Sequence, residues 1–209
     1  MDGVFMKKII KLIIFLLLIS TVLEIGGLWQ DKQNLKENLV RLHVVANSDS
    51  AEDQQVKLQV KDAITTYLQP ILQKFTDKDE AMAYIQENLS TLQDLSNDIL
   101  QRLGVKDRAV VTLQPEAFSK RVYDTFSLPS GIYDALRIEI GSGAGKNWWC
   151  VVFPSLCLPA TGSGFQDTAV SAGFSQRLTN TLSNKNSYCV RFFLLDCIGK
   201  LENLFNNIK

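Results

Sequence analysis

Three hydrophobic patterns follow one another along the chain. The first is unbroken. Leu12 to Leu23 reads LIIFLLLISTVL, interrupted only by Ser20 and Thr21, with Lys7, Lys8 and Lys11 just ahead of it. A basic stretch leading into a short apolar run is the pattern of an export signal or signal anchor. The run falls short of the roughly 20 residues that span a bilayer comfortably. It approaches that length when Ile9 and Ile10 are included and Lys11 snorkels. No small-x-small cleavage site follows, since the next residues are Glu24, Ile25, Gly26 and Gly27. Cleavage is therefore left open. A lipoprotein is excluded, because no cysteine precedes Cys150. The positive-inside rule places the N-terminus in the cytoplasm and the rest outside. Residues 1–28 are thus expected to be an export signal or signal anchor, and 29–209 an exported globular domain.

The second pattern has period two and then period 3.6. In Leu39 to Ala46, Leu42, Val44 and Ala46 alternate with Arg41, His43 and Val45, which predicts a strand. Asn47, Ser48, Asp49 and Ser50 stop it. Ser50 with Asp53 three residues on resembles a capping box for the helix that follows. Val56, Val60, Ile64, Leu68 and Leu72 form one stripe of that helix, which Pro70 ends or kinks. A second helix is capped by Thr76 or Asp77, with Asp79 and Glu80 at its positive end. It carries Ile85, Leu89, Leu92, Leu95, Ile99 and Leu103 and closes at Gly104. The two helices should pack as a pair on a sheet face.

The third pattern is β-rich. Ala109–Leu113, Tyr133–Ile140 and Trp148–Phe153 are strand segments, with Lys120–Phe126 as a further candidate. SLPSG at Ser127–Gly131 reads as a turn, and GSGAGKN at Gly141–Asn147 as a flexible hairpin loop. A short helix is expected around Phe165, Ala169, Leu178 and Leu182, then a short strand near Tyr188–Phe192. A last helix carries Leu194, Ile198, Leu201, Phe205 and Ile208. The predicted fold is α+β: a mixed or antiparallel sheet, a helical pair in the N-terminal half, a strand-rich second half and a C-terminal helix.

Composition narrows the function by exclusion. Hydrophobic residues make up 46% of the 209 and charged residues 21%, enough apolar material for a core and unlike a disordered chain. Lys and Arg number 22, as do Asp and Glu. Residues 1–30 hold three of the positive and two of the negative groups, so the exported portion is itself close to neutral. Electrostatic capture of nucleic acid or anionic lipid has no support there. GSGAGKN is no phosphate loop. Ile140 stands where a P-loop needs its first glycine, Asn147 where it needs Ser or Thr, and a Trp-Trp strand follows instead of a helix. A dinucleotide fingerprint fails because Lys146 occupies the place of its last glycine. No cofactor is expected.

His43 is the single histidine. It cannot make a multi-histidine zinc site, and no GxSxG elbow occurs. A hydrolase would have to pair His43 with Ser48, Ser50 or Cys150, with Asp49 as orienter. A structural or surface role for His43 is the better reading. Asp49, Asp53 and Asp62 lack EF-hand spacing and suit capping and helix-face roles. Cys150, Cys157, Cys189 and Cys197 all lie in the last third, without CxxC spacing. An exported chain favours disulfides. Of the three pairings, Cys150 with Cys157 is preferred, closing a short loop over Pro154; buried free thiols are the alternative. Trp148 and Trp149 are adjacent in a strand, so they point to opposite faces. Either one of them stands on the surface as a partner anchor, or helices cover both.

Two segments carry a family resemblance. RLHVVANSDSAEDQQVKLQVKDAI at Arg41–Ile64 and GIYDALRIEIGSGAGKNWWCVVFPSLC at Gly131–Cys157 closely resemble stage II sporulation protein R of endospore-forming bacteria. The resemblance covers roughly Leu39 to Leu204. It implies a signalling protein made in the forespore and exported into the space between the two septal membranes. There it would activate a membrane-embedded aspartic protease of the mother cell, which cleaves the pro-sequence from sigma-E. The family offers no catalytic residues to carry over. The expected partner surface comprises Asn47, Ser48, Asp49, Lys146, Trp148 and Trp149. The competing readings are a secreted hydrolase using His43 and a non-catalytic septum or cell-wall component.

Overall fold

The computed structural model describes residues 3–155, 164–183 and 190–206. Helix α1 (Gly3–Asn38) leads into strand β1 (Val40–Val45), followed by α2 (Ala51–Leu72), α3 (Lys78–Glu87) and α4 (Leu89–Arg102). Then come β2 (Ala109–Phe118), β3 (Arg121–Val122), β4 (Ser127–Leu128), β5 (Gly131–Ile140) and β6 (Asn147–Phe153). Helices α5 (Gly164–Ser171), α6 (Gln176–Leu182) and α7 (Val190–Asn206) complete the described chain. The α+β class expected from the sequence is what the chain adopts.

Four strands form a mixed sheet in the order β2-β5-β1-β6. β1 is parallel to β5 and antiparallel to β6, and β2 is antiparallel to β5. β1 is buried along its whole length because strands flank it and helices cover it. Its even positions, Val40, Leu42 and Val44, join Leu136, Ile138, Ile140, Cys150 and Val152 on one face. Val60, Ile64 and Leu68 of α2 and Leu92 and Leu100 of α4 seal that face, all at 1% exposure or less. Burying each such side chain contributes roughly 1.5–3 kcal/mol. The expected helical pair therefore packs where the stripes direct it.

The opposite face is covered only towards one end. Leu28, Leu35 and Leu39 of the α1 region, Phe165 and Ala169 of α5, Leu178 and Leu182 of α6, and Phe192 and Leu195 of α7 pack over Phe118, Tyr133, Ala135 and Val151. Helix α1 runs through the boundary expected at residue 28 without a break. Its residues from Phe5 to Leu23 are exposed and, apart from Lys7, Lys8, Lys11, Ser20 and Thr21, apolar, whereas Glu24, Asp31, Lys32 and Lys36 already form ion pairs with α6 and α7. The helix is long and apolar enough to cross a membrane.

Several expectations are corrected. The single second helix is two, α3 and α4, which meet at Asn88, and Asn88 closes the first through its backbone N–H. Pro70 lies in the last turn of α2, so the helix reaches Leu72 at the loss of one ladder bond. The first strand of the β-rich half extends to Phe118 and includes Pro115. As an edge strand bonded only to β5, it tolerates the missing N–H. Lys120–Phe126 contributes only the two residues of β3, and SLPSG supplies β4 as well as a turn. The helix expected over 163–183 is two short helices. Val190–Phe192, expected to end a strand, open helix α7. GSGAGKN is not a hairpin loop: β1 lies between β5 and β6, so the segment is a crossover over the end of β1.

Candidate functional site: interlocked loops and the open sheet face

The two motifs singled out in the sequence meet because of that crossover. β1 ends at Val45, and Ala46–Ser50 must turn into α2 directly beneath the chain passing from β5 to β6. Gly145 donates its N–H to the Ala46 carbonyl at 2.9 Å and Ala144 to the Asn47 carbonyl at 3.2 Å. The Asn47 Oδ1 accepts from the Ser142 N–H at 3.0 Å, and the Asn47 carbonyl accepts from the Ser142 hydroxyl at 2.9 Å. Asp49 accepts from the Lys146 N–H at 2.7 Å. On the far side, the Lys57 ammonium donates to the Lys146 carbonyl at 3.0 Å. Burial lowers the Lys57 pKa, Asp49 acts against that shift, and Lys146 adds to it.

Glycine is required at the closest approach. A Cβ on Gly145 would lie 2.2 Å from the Ser48 carbonyl oxygen, and Gly141 adopts φ +59° against Asn47. The loop is thus tied at Ser142, Ala144, Gly145 and Lys146 rather than free.

Half of the expected capping box forms. Ser50 caps α2, accepting from the Asp53 N–H at 3.1 Å. The Asp53 carboxylate does not close the box on the Ser50 amide. It accepts instead from the Ser48 hydroxyl at 2.5 Å and the Asn47 amide at 3.2 Å, while the Ser50 N–H is taken by the Ser48 hydroxyl. Asp53 therefore stiffens the turn that holds the loop. Asn47, Ser48, Asp49 and Lys146 are brought together, yet most of their polar groups are spent within the two loops and the first turn of α2, on Ser50, Asp53, Lys57 and Ser142. The Lys146 side chain and Ser142 remain exposed.

Trp148 and Trp149 occupy opposite faces of β6, and both are half-buried rather than one buried and one free. Lys61 of α2 sits 4.9 Å from the Trp148 ring centroid. Trp149 stacks on His43 at 3.7 Å with 15° between the rings, and Arg121 covers it at 4.9 Å.

Trp149 belongs to a cluster that the sequence did not reveal. His43 on β1 lies directly opposite Arg137 on β5, and Glu116 of β2, opposite Tyr133 on the same face, reaches both diagonally across the sheet. The His43 Nδ1–H donates to Glu116 at 2.8 Å, and the Arg137 Nη1 donates to the same carboxylate at 2.7 Å. Arg137 also holds Glu139 at 2.6 Å. Burial pushes the Glu116 carboxyl up, but the His43 hydrogen bond and charge, together with Arg137, outweigh it and hold it below the usual range. Only the cross-strand register links these residues, so no local motif could have announced them. Next to them Arg41 is fully buried. Its guanidinium lies 4.0 Å over Phe118 and its Nη2 donates to Tyr123 at 2.9 Å. Stacking on an aromatic face offsets part of the cost of burying that charge.

The hydrolase arrangement imagined for His43 does not assemble. Its bonded partner is Glu116; Ser48 and Ser50 serve the α2 turn instead, and Asp49 holds the Lys146 N–H. The His43 Nε2 is buried and has no hydrogen-bond partner. Cys150 is disulfide-bonded and Cys197 is a free thiol; Cys157 and Cys189 lie outside the described residues. No group of three or more potential metal ligands occurs among the described residues.

Known proteins place these motifs in context. The family model described as stage II sporulation protein R matches residues 36–162, from the end of α1 past β6. The stage II sporulation protein R of Bacillus subtilis (strain 168) is 29% identical over 160 residues, which is 73% of this chain and 71% of that protein. No solved structure matches. With both interlocked loops and the whole four-stranded sheet inside the matched span, the chain belongs to the stage II sporulation protein R family.

Proposed function

We propose that the chain is an exported, non-catalytic sporulation signal that activates a membrane-embedded aspartic protease and so triggers maturation of sigma-E. The observation carrying this reading is the family match, which spans both interlocked loops. The apolar, unburied first part of α1 is compatible with export or anchoring. Lys7, Lys8 and Lys11 orient it with the folded domain outside the forespore cytoplasm, in the space between the septal membranes. The contact surface is the end of the sheet where Lys146 and Ser142 stand out from a loop braced by Asn47, Ser48 and Asp49. A braced loop loses little conformational freedom on binding. It activates a receptor only by binding its active state more tightly than its inactive one.

The test is reconstitution in a non-sporulating host. The chain, the protease and the sigma-E precursor are expressed together, and the shortened product is followed by immunoblot. Processing should rise well above the level without this chain. An unchanged level would overturn the reading and favour a septum or cell-wall component.

A further inference from the structure

Helix α7 is apolar on two opposite sides. One side faces the sheet through Phe192, Leu195 and Gly199. The other carries Val190, Leu194, Cys197, Leu201 and Leu204, at successive spacings of four, three, four and three. Val190, Leu194, Leu201 and Leu204 are exposed, and Phe193 and Phe205 flank the row at 63% and 70% exposure. Cys197, partly exposed, is a free thiol in the middle of it.

A four-three alternation is the a/d seam of a two-stranded coiled coil. A surface helix satisfied by its own domain has a single apolar stripe and a polar outer face. With Leu194 and Leu201 at a positions, Val190, Cys197 and Leu204 take the d positions. The flanking positions are then Phe193, Lys200, Ile198 and Phe205. A parallel mate would bring Phe193 against Ile198 and Lys200 against Phe205, so no like charges would face each other. Each phenylalanine is about two-thirds exposed and can hide roughly 100 Å² or more of its surface. Four of them, with the seam leucines, carry the contact past the roughly 1,000 Å² of a specific interface.

The direction of α7 agrees. Arg191 bonds Glu24 and Asp31, and Glu202 bonds Lys32 and Lys36, so α7 runs in the same sense as α1. Two copies anchored in one membrane by α1 point the same way, and a closed pair of them has its two-fold axis along the membrane normal. About that axis the two α7 seams can meet in parallel. The seam is only about two heptads long, ~21 Å at 1.5 Å per residue. Confinement by α1 raises the effective concentration that a contact this short requires. We propose that α7 is a self-association surface, pairing in parallel with α7 of a second copy of this chain in the same membrane.

The test uses the full chain reconstituted in phosphatidylglycerol–phosphatidylethanolamine vesicles and oxidised with copper–phenanthroline. A dimer band should form through Cys197 and disappear in Cys197→Ser. In that background Leu194→Cys, Leu201→Cys and Leu204→Cys should restore it, whereas the exposed but distant Lys106→Cys should not. An independent measurement is energy transfer between labelled chains as they are diluted in lipid. Leu201→Glu with Phe205→Glu changes only exposed positions, and should leave the circular dichroism melt unchanged while abolishing transfer. Chains that stay monomeric at every dilution would overturn the proposal and leave the seam to lipid or another protein. Cross-linking without a/d periodicity would overturn it equally.

Discussion

The Gly145 Cα stands so close to the Ser48 carbonyl that a single added methyl would lie 2.2 Å from its oxygen. The two most distinctive segments of the chain are therefore not neighbouring loops but one interlocked piece. Gly145→Ala should push the crossover off the end of β1 while leaving the distant α2–α4 core intact. Hydrogen exchange should speed up at Ala144, Gly145 and Lys146 and stay slow in β1. Unchanged exchange in that loop would count against the interlock.

Asp49 and Lys146 separate bracing from contact. Asp49→Ala removes the acceptor of the Lys146 N–H and, at an exposed site, should cost about 1 kcal/mol. Lys146→Ala keeps that backbone bond and should leave the urea midpoint unchanged. If Lys146 touches the protease, the same variant should lower precursor processing at equal protein level.

Trp149 and His43 act as one packed unit. Trp149→Ala should destabilise by roughly 2–4 kcal/mol, because it uncovers the His43 ring and removes a support of Arg121. Trp149→Phe should recover much of this. His43→Ala should lower stability yet leave processing intact once folded protein is normalised. Complete loss of processing in a well-folded His43→Ala protein would revive a hydrolase reading.

Gly199 fixes how α7 sits on the sheet. A Cβ there would lie 1.5 Å from the Ser130 carbonyl oxygen. Gly199→Ala should therefore cost at least about 2–3 kcal/mol, as overpacking against backbone does. Gly26→Ala, with nothing within 4 Å, should be neutral or slightly stabilising. Equal melting temperatures for the two variants would contradict the docking of α7.

Acid should unfold the domain through three carboxyls. Burial raises the Asp196 carboxyl, but the Lys200 hydrogen bond and the Ser130 N–H and hydroxyl lower it more. Glu116 is lowered against burial by His43 and Arg137, and Glu202 by Lys32 and Lys36. Each binds its proton less readily folded than unfolded. Their stabilisation is fully present above the ordinary carboxyl value near ~4 and is lost as pH falls through the depressed folded values. Urea midpoints should fall as the pH drops below about 4. Asp196→Asn should shrink that fall, and a midpoint independent of pH down to about 2.5 would refute the assignment.

The amino-acid pattern by itself determined the apolar N-terminal run, the α2 stripe, the Ser50 cap, the four strands of the main sheet and the α+β class. Each of these is a local signal, set by side-chain periodicity or by one turn of backbone hydrogen bonding. It also located Asn47, Ser48, Asp49 and Lys146 as residues of interest. Tertiary structure alone decided that β1 inserts between β5 and β6. That placement turned a supposed hairpin into a crossover, because strand order depends on which faces can be buried together and not on which strands are adjacent in the chain. It also brought Glu116 and Arg137, 73 and 94 residues further along the chain, to His43 across the sheet. Cross-strand register joins such residues, and no spacing along a single segment records it. The exposed seam of α7 shows both levels at once. Its four-three spacing was present in the sequence, but only the packing of Phe192 and Gly199 against the sheet revealed that this second apolar side is left uncovered.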